Sequence, residues 1–568
     1  MAIVVKELEF LHPGGGVLFT GVSFRVGDHE HASLVGVNGV GKSTLLKLMA
    51  RELRPSSGSI QIDGRLQYMP QQVFRGDGTT TVRELLANVS PEPLRQRALE
   101  LLAAERAITT DFSDEAGVRY GEAIAHWGEV GGYALEGVWD HCTSAVLGQT
   151  LDEAADRPVN QLSGGEQKRL ALEMLLTSDS ENLLLDEPDN FLDIVGKRWL
   201  ERKLNDLNKT VLLVSHDREL LVHATQKVVT LEGNGAWVHG ESFATYYEAR
   251  TARQEQLEDA LQRWNDEERR LFRYFRTMKQ RAASSDANAS RADAAETRWQ
   301  RYVQAGPPSP PVRNQRIRIR LGGSGSGRKV VECAGLDIAG LVQPFDLLIR
   351  QGERVAVVGP NGTGKSHFLR LLSGEAVQHS GLLMFGARIK VGYFSQLHEH
   401  PEWTGQTVLE IMAKADISLS ASMAILSRYE LQRCSEQRFE TLSGGQQARL
   451  QVLLLERAGA NLLMLDEPTD NLDLDSSEAL ELALDEFTGT VIGVTHDRWL
   501  MRTFDRFLLF DDGGEVSEAP DLETMIPVLG GDITAADSPR LKRLTVAPAR
   551  APAVVSSARR EKQRNRQR

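Results

Sequence analysis

The chain has 568 residues, 41% of them hydrophobic and 25% charged, with 78 acidic side chains against 66 basic ones. That length suits three or four domains of about 150 residues each, and the globular composition excludes a wholly disordered or collagen-like chain. No apolar run approaches the roughly 18–20 residues of a membrane span, and Cys142, Cys333 and Cys434 are too scattered for a disulfide framework, a structural zinc or an iron–sulfur cluster.

At the start, Lys6, Glu7 and Glu9 stand where a signal peptide needs apolar residues, so no secretion signal is expected and the location is read as cytoplasmic. The apolar run Ala32–Val35 leads into Gly36, Asn38, Gly39, Gly41, Lys42, Ser43 and Thr44, which spell a P-loop. In that order of strand, glycine-rich turn and helix, backbone N–H groups surround phosphate oxygens. The lysine neutralises the β- and γ-phosphates, and the serine hydroxyl serves Mg²⁺. Gln71 follows Tyr68-Met69-Pro70 and is a candidate reporter of that metal site. Residues 78–160 read as an enlarged helical subdomain with a break at Gly131-Gly132-Tyr133. Ser163, Gly164, Gly165 and Glu166 then open a helix as a second anion cradle. An apolar strand ends in Asp186, suited to the metal, and Glu187, placed to polarise an attacking water. His216 comes 30 residues after Asp186, at the end of another apolar strand. Aspartate, glutamate and histidine together predict hydrolysis rather than passive binding.

Residues 246–305 change texture. Leu257, Leu261, Trp264, Leu271, Phe275 and Met278 follow a helical seam broken once, at Glu268. One helix over 246–281 would reach roughly 50 Å; a second helical pattern runs through Trp299 and Tyr302 until the prolines of 306–311 end it. Arg269, Arg270, Arg273, Arg276, Lys279 and Arg281 follow one another without an acid, interleaved with Phe272, Tyr274 and Phe275. Such cations and rings suit RNA phosphates and bases, although an ordinary solvated helix face also fits. Leu321–Gly327 reads as a flexible linker.

The first pattern then returns. Val355–Val358 precedes Gly359, Asn361, Gly362, Gly364, Lys365, Ser366 and His367; Gln396 follows, then Ser443, Gly444, Gly445 and Gln446, then Asp466, Glu467 and His496. The signature serine, the Asp-Glu pair and the histidine share one offset of 280 residues, while the lysines differ by 323, so the first copy holds 43 extra residues before its signature. Ser43, Asp186 and Gln71 in one copy, and Ser366, Asp466 and Gln396 in the other, are the metal candidates. Each signature lies 23 residues before its aspartate, too far from its own P-loop to share one nucleotide, so it must meet a nucleotide held elsewhere. The fold class is α/β, with two P-loop cassette domains in tandem over 1–240 and 329–520, a helical hairpin and linker over 241–328, and a C-terminal extension over 521–568. Residues 540–568 hold ten basic side chains and one acid, leaving a charge of −21 on the rest against −12 for the whole. That tail suits a polyanion or simple solubility.

With these motifs the chain resembles the ATP-binding cassette superfamily, in which two domains sandwich two ATP molecules head to tail. The resemblance implies one ATP on the Lys42 loop and the 443–446 signature, and a second on the Lys365 loop and the 163–166 signature, with Asp193 and Asp473 on the loops that cross between them. Fused cassettes, no spanning segment and a charged hairpin are similar to the ABC-F family of ribosome-binding ATPases, which includes translation factors and antibiotic-resistance proteins. That likeness implies ATP and Mg²⁺ as cofactors, a monomeric chain whose cassettes pair internally, and a ribosome as partner. It also implies rRNA contact through the hairpin near the tRNA exit site. An energising subunit for a separate membrane exporter is the rival reading; a DNA-repair ATPase should carry zinc cysteines or a far longer coiled coil. The chain departs from the family at His367, where a second hydroxyl is usual, and at Asp189-Asn190-Phe191, where Thr-Asn-His is commoner. Neither copy has a clear tyrosine to stack on adenine, though Phe10 or His12 could serve in the first. Unequal rates at the two sites are the expected consequence.

Overall fold

Leu183–Leu185 and Val211–Leu213 are apolar at every position and buried on both faces, the pattern of a parallel sheet covered by helices on either side. In the first half six strands run in the order Leu66–Met69, Asn182–Asp186, Thr210–Val214, His31–Val35, Lys227–Glu232 and Gly235–His239, only the last antiparallel. The second half repeats this with Val391–Phe394, Leu462–Asp466, Thr490–Val494, Arg354–Val358 and Arg506–Phe510, then adds the antiparallel Val516–Ala519 and Lys542–Arg543. A three-stranded antiparallel sheet flanks each: Val17–Val26, Ile3–Leu11 and Ser57–Ile62 in one, Val342–Arg350, Lys329–Ile338 and His379–Phe385 in the other. Because the central strands are parallel, their carboxyl ends share one edge. Gly36, Gln71, Asp186 and His216 all leave the sheet there, the edge where such folds bind ligands.

The structure is a computed structural model and describes residues 3–12, 14–71, 80–110, 113–233, 235–282, 289–311, 319–322, 325, 327–395, 400–414, 419–470, 472–529 and 540–546. Gln396 and the basic residues beyond 546 lie outside the described residues.

The stretch inserted in the first half carries the helices Val82–Val89, Leu94–Thr110, Asp114–Glu129 and Gly132–Leu147. Trp127 and Trp139, both fully buried with ring centroids 5.7 Å apart, form their core, and their indole N–H groups donate to Glu136 and Ser90. The Gly-Gly break has a steric cause. Gly131 takes φ +82°, and a Cβ on Gly132 would lie 2.0 Å from the Trp127 ring, so only glycine lets the next helix fold back so closely.

The hairpin is a 37-residue helix, Tyr246–Ala282, followed by Ala289–Ala305. Trp264 stacks on Tyr302 at 5.4 Å and Phe275 on Trp299 at 5.7 Å. Glu268 interrupts the apolar spacing because its carboxylate accepts the Trp299 indole N–H at 2.8 Å. The six cations from Arg269 to Arg281 are exposed, as are Phe272 and Tyr274. Phe275 is instead buried in the seam, so its ring is committed to Trp299 rather than offered to a base. At the hairpin's foot, Tyr246 stacks on Phe243 inside the first half, while Arg250 donates to Asp475 of the second half at 2.9 Å. The glycine–serine stretch expected to be a loose linker is tied at its start: Ile319 is buried, Leu321 packs on the second core, and the Arg320 N–H donates to Glu456 at 3.0 Å.

Candidate functional site

Each P-loop begins with a glycine that no other residue could replace. A Cβ on Gly36 would lie 2.4 Å from the Leu231 carbonyl oxygen, and one on Gly359 2.0 Å from that of Phe510, both at positive φ. The lysines fold back on their own loops. Lys42 Nζ donates to the Gly36 carbonyl at 2.7 Å, and Lys365 Nζ to Gly359 and Pro360 at 2.8 and 2.6 Å. A phosphate, carrying full charge, is a stronger acceptor than these carbonyls. Burial lowers the pKa of both ammonium groups, opposed first by Glu187 and Glu467 respectively. Thr44 and His367 follow inside the helices Lys42–Met49 and Lys365–Ser373.

Beside the lysines sit the acids. The Ser366 hydroxyl donates to Asp466 at 3.2 Å, and burial pushes Asp466 up to about 6. Both carboxylate oxygens of Asp186 are buried without a hydrogen bond of ordinary geometry, and burial raises that group as well. Such under-satisfied oxygens next to a serine hydroxyl fit a hard divalent cation. Among the described residues no cluster of three or more His, Cys, Asp or Glu could hold a metal by itself; one hydroxyl and one carboxylate form the sparse protein set that suits a cation keeping phosphate and water ligands, as Mg²⁺ does.

Glu187 and Glu467 share a strained backbone, φ +49° and +47°, with each N–H donating to the neighbouring strand at Val214 or Val494. Strain repeated at equivalent positions marks a functional constraint. Glu187 accepts from the Gln71 and Asn190 amides, both at 2.6 Å. Gln71 therefore sits on the glutamate and not on Asp186. Glu467 accepts from the His496 backbone N–H at 2.9 Å, with His496 Nε2 3.4 Å away. Burial, then Asp470, pushes Glu467 up to about 8. His496 Nε2 also lies 3.3 Å from Asn361 Oδ1, an acceptor that suits the tautomer with its proton on Nε2. His216 is looser: it stands 3.9 Å from Glu187, and neither ring nitrogen has a partner. Burial followed by the adjacent lysine drives both histidines down, His216 to about 3 and His496 well below its ordinary value. Both are neutral imidazoles at physiological pH.

The two halves complete each other. A cavity of about 370 Å³ is lined by Ser163, Gly164 and Gly165 of the first half together with Gly362, Lys365 and Ser366 of the second. Asn361 Nδ2 donates across to the Phe191 carbonyl at 3.2 Å; a Cβ on Gly165 would come within 3.0 Å of that oxygen. Ser163 caps the helix Gly164–Thr177 and Ser443 the helix Gly444–Ala458, each in a capping box. The side chains of Glu166 and Gln446 reach back to the serine N–H in those boxes, which commits them to shaping the cradle. On the opposite side the Asn38 N–H of the Lys42 loop donates to Asp473 at 3.2 Å. Burial opposes the charge of Asp473, but Ser476, Asn38 and Arg449, the last on the helix that Ser443 opens, outweigh it and keep that carboxyl below its usual range.

Four participants escaped the motifs. Asn190 holds Glu187; Lys168 Nζ, buried and lowered to about 8, donates to the Gln71 carbonyl at 3.1 Å; Leu341 and Lys197 line the cavity. Comparing the copies at their common offset sets Lys168 against Ala448 and Lys197 against Ser477, an internal signal that would have exposed both lysines. Phe10 and His12 meet edge to face at 6.0 Å, while Leu18 and Leu341 cover equivalent P-loop glycines, Gly41 and Gly364.

The sequence is similar to those of known proteins. The family described as ABC transporter matches residues 19–190 and 342–470. An antibiotic resistance protein of Mycobacteroides abscessus is 44% identical over 89% of this chain and 97% of its own length. ABC transporter F family member 2 of Arabidopsis thaliana is 30% identical over 88% of this chain and 75% of its own. The energy-dependent translational throttle protein EttA of Escherichia coli is 29% identical over 85% and 87%.

Proposed function

The chain belongs to the ABC transporter family, in the F branch of tandem cassettes, and from that membership we propose that it is a ribosome-associated ATPase. It binds ATP and hydrolyses it to ADP and phosphate. The supporting observation is the shared cavity, in which one half supplies the loop for phosphate and the other the serine–glycine cradle. A nucleotide there is gripped from both sides, and its binding energy is spent on holding the halves together. Among the described residues no helix is long and apolar enough to cross a membrane, and a relative of similar span is named for throttling translation.

At the Lys365 site the loop N–H groups and the ammonium bind the β- and γ-phosphates. The dipole of the helix behind Ser163 faces the γ-phosphate from the other side. Glu467 orients the attacking water and takes its proton, while neutral His496 turns its one ring N–H from Asn361 to the γ-phosphate oxygens. A divalent cation held by Ser366 and Asp466 would offset phosphate charge and draw the Glu467 carboxyl towards its ionised form. The Lys42 site uses Ser43, Asp186, Glu187 and His216 in the same roles, with the 443–446 cradle.

The double variant Glu187→Gln, Glu467→Gln tests the reading. With ATP it should stay closed and accumulate on ribosomes in co-sedimentation; pelleting with membrane vesicles alone would replace the ribosome with an exporter. In the same assay, neutralising Arg269, Arg270, Arg273, Arg276, Lys279 and Arg281 should weaken ribosome binding and flatten its salt dependence without loss of ATP affinity. Antibiotic protection is the role we favour, on the 44% identity to a resistance protein.

A further inference from the structure

The two halves correspond closely where they meet. The offset of 280 sets Glu201 against Glu481, Asp217 against Asp497 and Arg218 against Arg498. The contacts follow the same pseudo-twofold rule: Arg218 pairs with Glu481 at 2.9 Å, and Arg498 pairs reciprocally with Glu201. Two of the positions that break the correspondence bear on the Lys365 site. Asp189 stands against Thr469, and Lys197 against Ser477, so the first half carries a charged pair where the second has two hydroxyls.

Lys197 lies on the helix Ile194–Asn205, and its buried ammonium crosses between the halves. It is 3.0 Å from Asp217 Oδ2 and donates to the backbone carbonyl of His496, in the other half, at 3.3 Å. Asp217 in turn takes Arg498 of that half at 3.3 Å. Asp189 and Lys197 both line the cavity that holds Lys365, and Asp189 Oδ1 is buried with no hydrogen-bond partner. Burial works against the Lys197 charge, but Asp217 and Asp189 outweigh it and hold the ammonium above the usual lysine range.

We propose that Lys197 is a positioning residue acting in trans, fixing the backbone of His496 so that its imidazole meets Glu467 and the γ-phosphate of the Lys365 site. The inference rests on the ATPase reading with two composite sites and adds an asymmetry to it. A serine at 477 is too short to give His216 the same support, and His216 is indeed the histidine with two unpartnered nitrogens. The Lys365 site is therefore preassembled by the opposite half, whereas the Lys42 site waits for its nucleotide.

The test compares Lys197→Ser with the pair Asp189→Thr, Lys197→Ser, which copies the second half's residues into the first. Each is placed in the full chain with Glu187→Gln, leaving the Lys365 site to hydrolyse, or with Glu467→Gln, leaving the Lys42 site. One round of hydrolysis of prebound ATP is followed, together with two readouts apart from activity: the thermal midpoint without nucleotide, and the ATP concentration that brings a dye pair on the two halves together. Loss of Lys197 should slow the Lys365 site about tenfold, as small misplacements of a reacting group do, change the Lys42 site less than about twofold, and raise the ATP needed for closure several-fold. Equal slowing at both sites, or none at either, overturns the proposal. If Lys197→Ser does not fold, because buried Asp189 loses its cation, the double variant decides alone. A parent chain that turned over no ATP would instead defeat the ATPase reading, a result separable from a neutral Lys197→Ser in an active parent.

Discussion

Glu467 carries a conflict that the sequence hid. The role of base that we propose for it needs a carboxylate, yet burial and Asp470 push it up to about 8 from its usual 4.5. A carboxyl raised on folding binds its proton more tightly in the native state, so its contribution is favourable below about pH 4.5 and fades as pH rises through 8. Glu467→Gln removes that penalty. Without nucleotide, the variant should therefore gain stability over the parent chain as pH rises from 5 to 8, read as a widening gap in Tm; a gap independent of pH would show that the carboxyl is already ionised. The Asp-Glu pair and the histidines could be singled out in the sequence because they recur at short, fixed spacings. Asn190 and Gln71 on Glu187 were not, since an amide has no spacing rule and its partner is decided by a left-handed backbone turn that no pattern announces.

Elements were legible where periodicity rules them. Apolar runs gave the buried parallel strands, and the 4,3 spacing gave the long hairpin helix, including the place where it falters. What periodicity missed is the reason for each exception: Glu268 serves the Trp299 indole, and Gly132 makes room for Trp127. The second supports a direct expectation. Gly132→Ala forces a methyl into the Trp127 ring and should destabilise the helical insertion by about 1–3 kcal/mol, as overpacking does. Thermal unfolding should show this as an earlier transition, with ATP binding at both P-loops retained. A variant as stable as the parent would mean that the two helices can part at no cost.

At the scale of the molecule, the arrangement of the halves was inferred from distance along the chain: the signature could not reach its own P-loop. The cavity formed by Gly165, Asn361 and Lys365 agrees with that inference, but the ion pairs Arg218–Glu481 and Arg498–Glu201 could not be read from either half alone, because their partners belong to different copies. A substitution in one half should consequently silence chemistry in the other. Gly165→Asp, which sets a negative charge in the cradle opposite the γ-phosphate, should cut hydrolysis on the Lys365 loop more than tenfold in a Glu187→Gln chain. ATP affinity for the open form should change little, as measured by equilibrium binding. Unimpaired turnover would show that each loop works without its neighbour.

The foot of the hairpin has a mechanical consequence. Arg250 is fastened to Asp475, two residues beyond the Asp473 carboxylate that holds Asn38 of the Lys42 loop. Any shift of that loop as nucleotide arrives is thus delivered at the fulcrum of a rod about 55 Å long, at 1.5 Å per residue. A tilt of only about 5° there sweeps the far end through about 5 Å, close to the pitch of one helical turn. Fine adjustments too small to matter within a cassette become displacements on the scale of a nucleotide at the distant tip.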